Sequence, residues 1–298
     1  MSASLEIQTS SVEVVIEAGH ETAWDRFRKN KGAMIGLAIV GVMLLIAVLA
    51  PVLAPYSPYD TFPDGISKIG APQPPNAKFL LGADNLGRDV LSRLIYASRI
   101  SLEVGIIAAL VSVTVGTMVG VVAGYWGGWV DVLIMRITDA MLAFPFLLFV
   151  MLVVAVLKPS VTIIFVVIGL LGWSKTARVA RGQTLSVIQN TFVAAARTVG
   201  ASSWHIIFRH IIPNIMGPII VFGTLQVGNY ILTEGALSFI GAGVPPPIPS
   251  WGNMIYTGQQ YYQTAPWLFI YPGLMLTLTV IGFNLLGDGL DNALNPRN

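Results

Sequence analysis

Residues 174–213, SKTARVARGQTLSVIQNTFVAAARTVGASSWHIIFRHIIP, decide the architecture, because a charged stretch this long lies between two apolar, charge-free runs. It carries Lys175, Arg178, Arg181, Arg197 and Arg209. The pattern predicts helix to about Val199, a break at Gly200, and helix again to Ile212 before Pro213. Glycine suits the left-handed position that ends a helix. Ser202 or Ser203 can cap the next helix, and proline is tolerated in the first turn of the one after. The expected product is a helix–turn–helix knuckle. Ala194, Ala195 and Ala196 give it a small-residue face that another protein can approach closely, and Arg197 adds a fixed donor.

The runs on either side are long enough for a membrane, which needs roughly 20 mostly apolar residues per helix. Charge-free stretches cover Gly32 to Tyr59, Val104 to Val130, Ala140 to Ser174 (interrupted only by a hairpin at Lys158-Pro159), Ile211 to Thr233, and Gly235 to Gly287. Proline at 245, 246, 247 and 249 interrupts the last. The expectation is six helices, at about 33–55, 102–124, 134–157, 160–177, 211–241 and 267–287. Composition agrees: the 298 residues are 54% hydrophobic and 11% charged, under half the roughly 25% charge of a soluble domain. The fold class is therefore an all-α integral membrane protein. A net charge of +2 leaves no nucleic-acid footprint. The absence of cysteine excludes disulfides, thiolate metal sites and cysteine nucleophiles.

Basic residues near span ends mark the cytoplasmic side. Arg26, Arg28, Lys29 and Lys31 precede the first span, whose apolar run is too long for a cleaved leader. Both termini are thus expected in the cytoplasm, with the 174–213 knuckle. Parity places 56–101 outside, although it holds Lys68, Lys78, Arg88, Arg93 and Arg99. In it, Val90, Leu91, Leu94 and Ile95 share one helical face. They read as a short amphipathic helix at the membrane surface, or as a plain lead-in to the second span. The chain divides into a cytoplasmic tail (1–31), a first span with its external segment (32–101), a membrane core (102–291) containing the loop 178–213, and a short cytoplasmic end (292–298).

Polar residues within apolar runs are costly and therefore informative. Glu234, with Asn229 and Tyr230 a turn earlier, borders either a translocation path or a helix–helix hydrogen bond. Asn284 raises the same question at lower cost. Asp139 is expected to pair with Arg136. Gly169 to Thr176 echoes a phosphate-binding loop but lacks its second glycine and ends a membrane helix. His205 and His210 are five apart, about 500° of helix, and are expected on different sides. No metal site, catalytic set or cofactor site is expected in this chain.

Four motifs carry a resemblance. Ala194-Ala195-Ala196-Arg197-Thr198-Val199-Gly200 followed by His210-Ile211-Ile212-Pro213 resembles the EAA loop of ABC importer permeases, with Ala194 in place of the usual Glu. Leu81-Gly82-Ala83-Asp84, Gly87-Arg88-Asp89-Val90 and Ser92-Arg93 are similar to the external signature of the dipeptide/oligopeptide/nickel branch, with Ala83 for Thr and Ala97 for Gly. Ala236 to Gly241 with Pro246 to Gly252, and Phe283 to Leu290, are similar to its closing motifs. The resemblance covers nearly the whole chain after the tail. It implies a type I ABC importer permease fold and the second, C-type membrane subunit of a peptide importer in a bacterial or archaeal inner membrane. It further implies a second, B-type permease, two ATPases that bind the ATP and Mg, and a periplasmic or lipid-anchored binding protein as partners. The loop would couple to the ATPases through Ala194, Ala195, Ala196, Arg197, Gly200, Ala201, Ser202, Arg209, His210 and Pro213. Asp84, Gly87, Arg88, Asp89 and Arg93 carry the external motif. Close relatives move nickel, glutathione or oligosaccharides, and a stand-alone secondary carrier using Glu234 is the competing class.

Overall fold

The computed structural model describes residues 22–68, 70–157 and 160–294; the Lys158-Pro159 hairpin and most of the expected tail fall outside them. The part of the tail that is described is ordered. Thr22 and Asp25 form a reciprocal capping box that starts α1 (Ala23–Lys29), and Asn30 caps α2 (Lys31–Val48) by accepting from the Ala33 N–H at 3.1 Å. Phe27 of α1 is buried against Ala33 and Ala293.

After α2 comes one further turn, α3 (Ala50–Leu53). The next long helix, α4, runs unbroken over Val90–Trp126, 37 residues, about 55 Å at 1.5 Å per residue. Of the two readings of Val90 to Ile95, the structure therefore bears out the lead-in: the segment is the first part of α4 and not a separate surface helix. Val90, Ser92, Arg93, Leu94 and Ala97 are buried within the protein. Ser92 is held by Asp89, and Arg93 reaches Asp84 and the Pro58 carbonyl, so both find partners within the protein.

The third expected span is also corrected. Residues 134–157 are not one helix; α5 (Gly128–Ala143) and α6 (Phe146–Leu157) meet at 88°. The break is Phe144-Pro145, with Phe144 extended, as the residue before a proline prefers. The described residues thus contain five helices long and apolar enough to cross a membrane, and six spans if the bent pair counts as one. The remaining three long helices are α7 (Val161–Ile188), α10 (Ile212–Phe239, continuous with the turns before it) and α12 (Trp267–Leu294). Between α10 and α12, Ser250 caps the short α11 (Trp251–Gly258).

Lipid gives helices no hydrophobic reason to associate, so close packing has to hold them. On α4, Gly116, Gly120 and Gly124 recur every fourth residue and face α7. A Cβ at Gly116 would stand 2.6 Å from the Trp173 carbonyl oxygen, and one at Gly124 2.9 Å from Thr184 Cβ. One at Gly120 would overlap the Ala177 carbonyl. The α4–α7 pair is the most extensive contact between the described helices, and α2 packs closely on α12 at Gly36 and Gly282. Beyond the apolar part of α7, Arg178 and Arg181 reach α5, pairing with Asp139 (2.6 Å) and Asp131 (2.6 Å). Asp139 therefore pairs across to α7 and not with Arg136, because α5 lies antiparallel along that helix.

Candidate coupling loop and membrane pathway

The 174–213 knuckle forms, with one extra break. Helix α7 stops at Ile188, Gln189 and Asn190 turn the chain, and α8 (Thr191–Thr198) carries the alanines. Gly200 closes α8 at φ +79°. The Ala201 N–H donates to the Ala196 carbonyl at 3.1 Å and the Gly200 N–H to Arg197 at 3.0 Å, the paired bonds of a Schellman ending. Ser202, and not Ser203, caps α9 (Ser203–Ile206) by accepting from the His205 N–H. The chain then widens into a π turn, Ile207–Ile211, which runs straight into α10 with Pro213 in its first turn. Proline has no N–H for the Arg209 carbonyl and crowds it; the wider turn relieves both.

That turn overturns one expectation. His205 and His210 lie with ring centroids 5.7 Å apart, since a π turn brings residues five apart onto one face. No group of three metal-ligating side chains forms around them among the described residues.

Val193, Ala196, Ile206, Ile207 and Ile211 are buried with Val121 of α4, Ala180 of α7, and Ile215 and Ile219 of α10. The knuckle is therefore packed onto three long helices as one body. The Arg197 guanidinium lies over Tyr125 at 5.4 Å, and Trp204 meets Trp126 edge-on. Its outer surface carries several large apolar side chains among polar ones. Ala194 and Ala195 are exposed, Val199 is 83% exposed, and Phe192, Trp204 and Phe208 are 40–58% exposed. Arg209 is exposed beside them and His210 is half-buried near Phe192. Sequence reading found the alanines but missed these four large side chains. The available signal was their size: bulky apolar residues in a segment otherwise too charged to be a span.

The four residues singled out within the apolar runs, Asn229, Tyr230, Glu234 and Asn284, separate into two pairs. Glu234 is fully buried. The Ser238 hydroxyl donates to it at 2.7 Å and the Ser101 hydroxyl approaches at 3.4 Å. Ser238 in turn accepts from the Val244 N–H, and Ser101 from the Trp251 N–H. The carboxylate thus sits buried at a junction of α4, α10 and the loop leading to α11. Tyr230 is buried too, donating to Ser112 at 2.8 Å and accepting from Gln226 at 3.0 Å. By contrast Asn229 and Asn284 are exposed. They flank Gly228, where a Cβ would be 3.6 Å from Asn284 Oδ1.

At the opposite end of the bundle the external motif forms one compact unit. Asp84 accepts from the Leu86 and Arg88 N–H groups at 2.8 and 2.9 Å and from Arg88 Nε at 2.7 Å. Gly87 turns the chain at φ +75°, and its carbonyl accepts from the Phe62 N–H. Asp89 caps α4 through the Ser92 N–H and hydroxyl. Arg93 donates to the Pro58 carbonyl. The Trp267 indole donates to the Ala83 carbonyl, which ties the unit to α12. Nearby, the Lys78 hydrogen bond holds the exposed Asp64 carboxyl below its usual value.

Residues 116–298, which contain the knuckle, match the family described as binding-protein-dependent transport system inner membrane component. The chain belongs to that family. Residues 21–75 further match the N-terminal TM domain of oligopeptide transport permease C. Among curated relatives, the chain is 40% identical over 275 residues to the dipeptide transport system permease protein DppC of Alkalihalophilus pseudofirmus, covering 92% of this chain and 89% of that one. It is 41% identical over 272 residues to the oligopeptide transport system permease protein OppC of Haemophilus influenzae, covering 91% and 86%. It is 39% identical over 274 residues to the glutathione transport system permease protein GsiD of Pectobacterium atrosepticum, covering 92% and 90%. The expected recognition, fold class and multi-pass membrane character are all borne out. The chain is a transport permease component of an inner membrane.

Proposed function

We propose that this chain forms half of the membrane pathway of an ATP-driven importer for short peptides. A second, B-type permease supplies the other half, two ATPase subunits drive it, and an external binding protein delivers the cargo. The knuckle and the described chain ends face the cytoplasm, which the basic residues before α2 support. The chain itself holds neither ATP nor a metal.

One observation carries this reading: a knuckle packed as one body onto α4, α7 and α10 and presenting Phe192, Val199, Trp204 and Phe208 outward. Exposed apolar surface of this kind marks a protein contact. A subunit that grips it can turn three membrane helices together, which is how a rigid-body switch alternates access. A stand-alone carrier would give this surface no role, and would place its ion site at a carboxylate already enclosed by hydroxyls. The peptide class rests on the dipeptide and oligopeptide relatives, with glutathione within the same chemistry. Asn229 and Asn284, exposed in otherwise apolar helices, face the path or the partner permease.

The natural chain has no cysteine, so single cysteines report cleanly. Cysteine at Val199 or Phe208 is expected to crosslink to an ATPase subunit in native membranes. Capture of no such subunit from either position would refute the reading.

A further inference from the structure

On the external face, the turn at 84–88 and the start of α4 form one wall of a cavity of about 350 Å³. The facing wall is the proline loop and α11, including Pro246, Tyr256 and Thr257. Arg88 and Arg93 line it although they are only 9% and 5% exposed. A buried cation is stable only when paired and hydrogen-bonded, and here the pairing is incomplete. Nε of both arginines addresses the same Asp84 oxygen, at 2.7 and 3.4 Å. One Nη of Arg93 donates to Pro58. The other carboxylate of the cluster, Asp89, is taken by Ser92 and the start of α4. Both Nη atoms of Arg88 and the second of Arg93 meet no acceptor among the described residues, and none is sealed from solvent. Two guanidiniums thus share one carboxylate beside a cavity walled otherwise by apolar side chains and a few hydroxyl and amide groups. Few convergent polar groups in an apolar cavity of at least roughly 300 Å³ is the usual form of a small-molecule site. Free guanidinium N–H groups match the planar oxygens of a carboxylate, the anionic group that a short peptide carries at its end.

We propose that this cavity is an external subsite for a short peptide, whose terminal carboxylate seats between Arg88 and Arg93. The cargo class rests on the importer reading above; the carboxylate chemistry rests on the arginines alone. The site would hold the peptide at the outer end of α4 as it leaves the binding protein.

The test uses the permease complex, purified with whatever subunits accompany it and reconstituted in nanodiscs without the binding protein. Titration calorimetry compares dialanine with dialanine amide. Dialanine is expected to bind at least about tenfold more tightly, the effect of losing a charge-assisted hydrogen bond. Leu86→Trp, at a position 52% exposed that lines the cavity, is expected to abolish the binding without disturbing Asp84 or its arginines. Arg88→Lys is expected to weaken it while retaining the preference for the acid. Equal binding of acid and amide, no binding of either, or unchanged binding in Leu86→Trp would each overturn the proposal. So would a Leu86→Trp variant that binds dialanine normally but no longer docks the binding protein, since the carboxylate would then be that protein's. Absence of ATPase subunits from the preparation would refute the importer reading and leave the cavity result separately readable.

Discussion

Gly200 tests the knuckle most directly, because its two possible failings are separable. Its φ of +79° is one that L residues rarely adopt, yet a Cβ built on it meets nothing within 4 Å. Substitution therefore strains the backbone without any clash. The left-handed conformation costs an ordinary L residue about 1–2 kcal/mol, and a β-branched one up to about 3 kcal/mol. Asparagine enters it at much lower cost. At about 1.4 kcal/mol per tenfold, the population of the closed knuckle is expected to fall roughly 5–30-fold for Gly200→Ala. For Gly200→Val the fall is about 100-fold, and Gly200→Asn should stay near wild type. The buried Val193, Ala196, Ile206 and Ile207 keep the flanking helices seated, so the protein should still fold and reach the membrane. In proteoliposomes carrying the ATPases and binding protein, solute moved per ATP hydrolysed should follow the order Gly, Asn, Ala, Val. If Gly200→Val remains fully coupled, the knuckle is not the handle. If Asn is as damaging as Val, the effect is not one of backbone conformation.

Three further outcomes follow from packing and pairing. Glu234→Gln should keep uptake, because an amide can still accept from Ser238. Glu234→Leu, which strands the buried Ser101 and Ser238 hydroxyls, should destabilise by about 1–3 kcal/mol, read as a lower midpoint for thermal unfolding in detergent. Loss of uptake by Glu234→Gln at unchanged midpoint would instead make the residue part of the path. Gly120→Leu should prevent stable accumulation in the membrane by forcing α4 off Ala177, whereas Gly182→Leu, where a Cβ meets nothing within 4 Å, should accumulate normally; equal yields would refute the role given to the α4 stripe. A double-mutant cycle on Arg181 and Asp131, whose side chains are 31% and 17% exposed, should show a larger coupling than Arg178 and Asp139, both 54% exposed, the latter within about 0–1 kcal/mol.

What the sequence made legible was whatever depends on spacing along one chain. Charge-free runs located the spans, and Gly200 and Pro213 located the knuckle, because helix ends obey local chemistry. The bend between α5 and α6 was legible in principle at Phe144-Pro145, but an apolar run hides a proline when only charge is being counted. Other features depended on what lies opposite. Arg93 looked like a surface cation and is buried because Asp84 and Pro58 fold back onto it. The start of α4 has an apolar and a polar face in sequence, but Ser92 and Arg93 of the polar face are buried along with Val90 and Leu94 of the apolar one. His205 and His210 looked opposed because 3.6 residues per turn was assumed where Pro213 imposes a wider turn.

The same distinction settles how the polar residues of the membrane helices are to be read. Sequence marks Asn229, Tyr230, Glu234 and Asn284 as polar groups that lipid does not satisfy, Glu234 the most costly of them. The fold shows that the chain compensates two of them internally: Tyr230 through Ser112 and Gln226, and Glu234 through Ser238 and Ser101. It leaves Asn229 and Asn284 on an outer face, where the Asn229 amide meets only Gln226 of its own helix among the described residues. Lipid cannot satisfy an amide. The compensation for those two must come from water or from another polypeptide, and both stand where α10 and α12 are exposed. The proposed half-pathway would supply both, and on that reading the two exposed asparagines, more than the buried carboxylate, lie on the side that meets the partner permease.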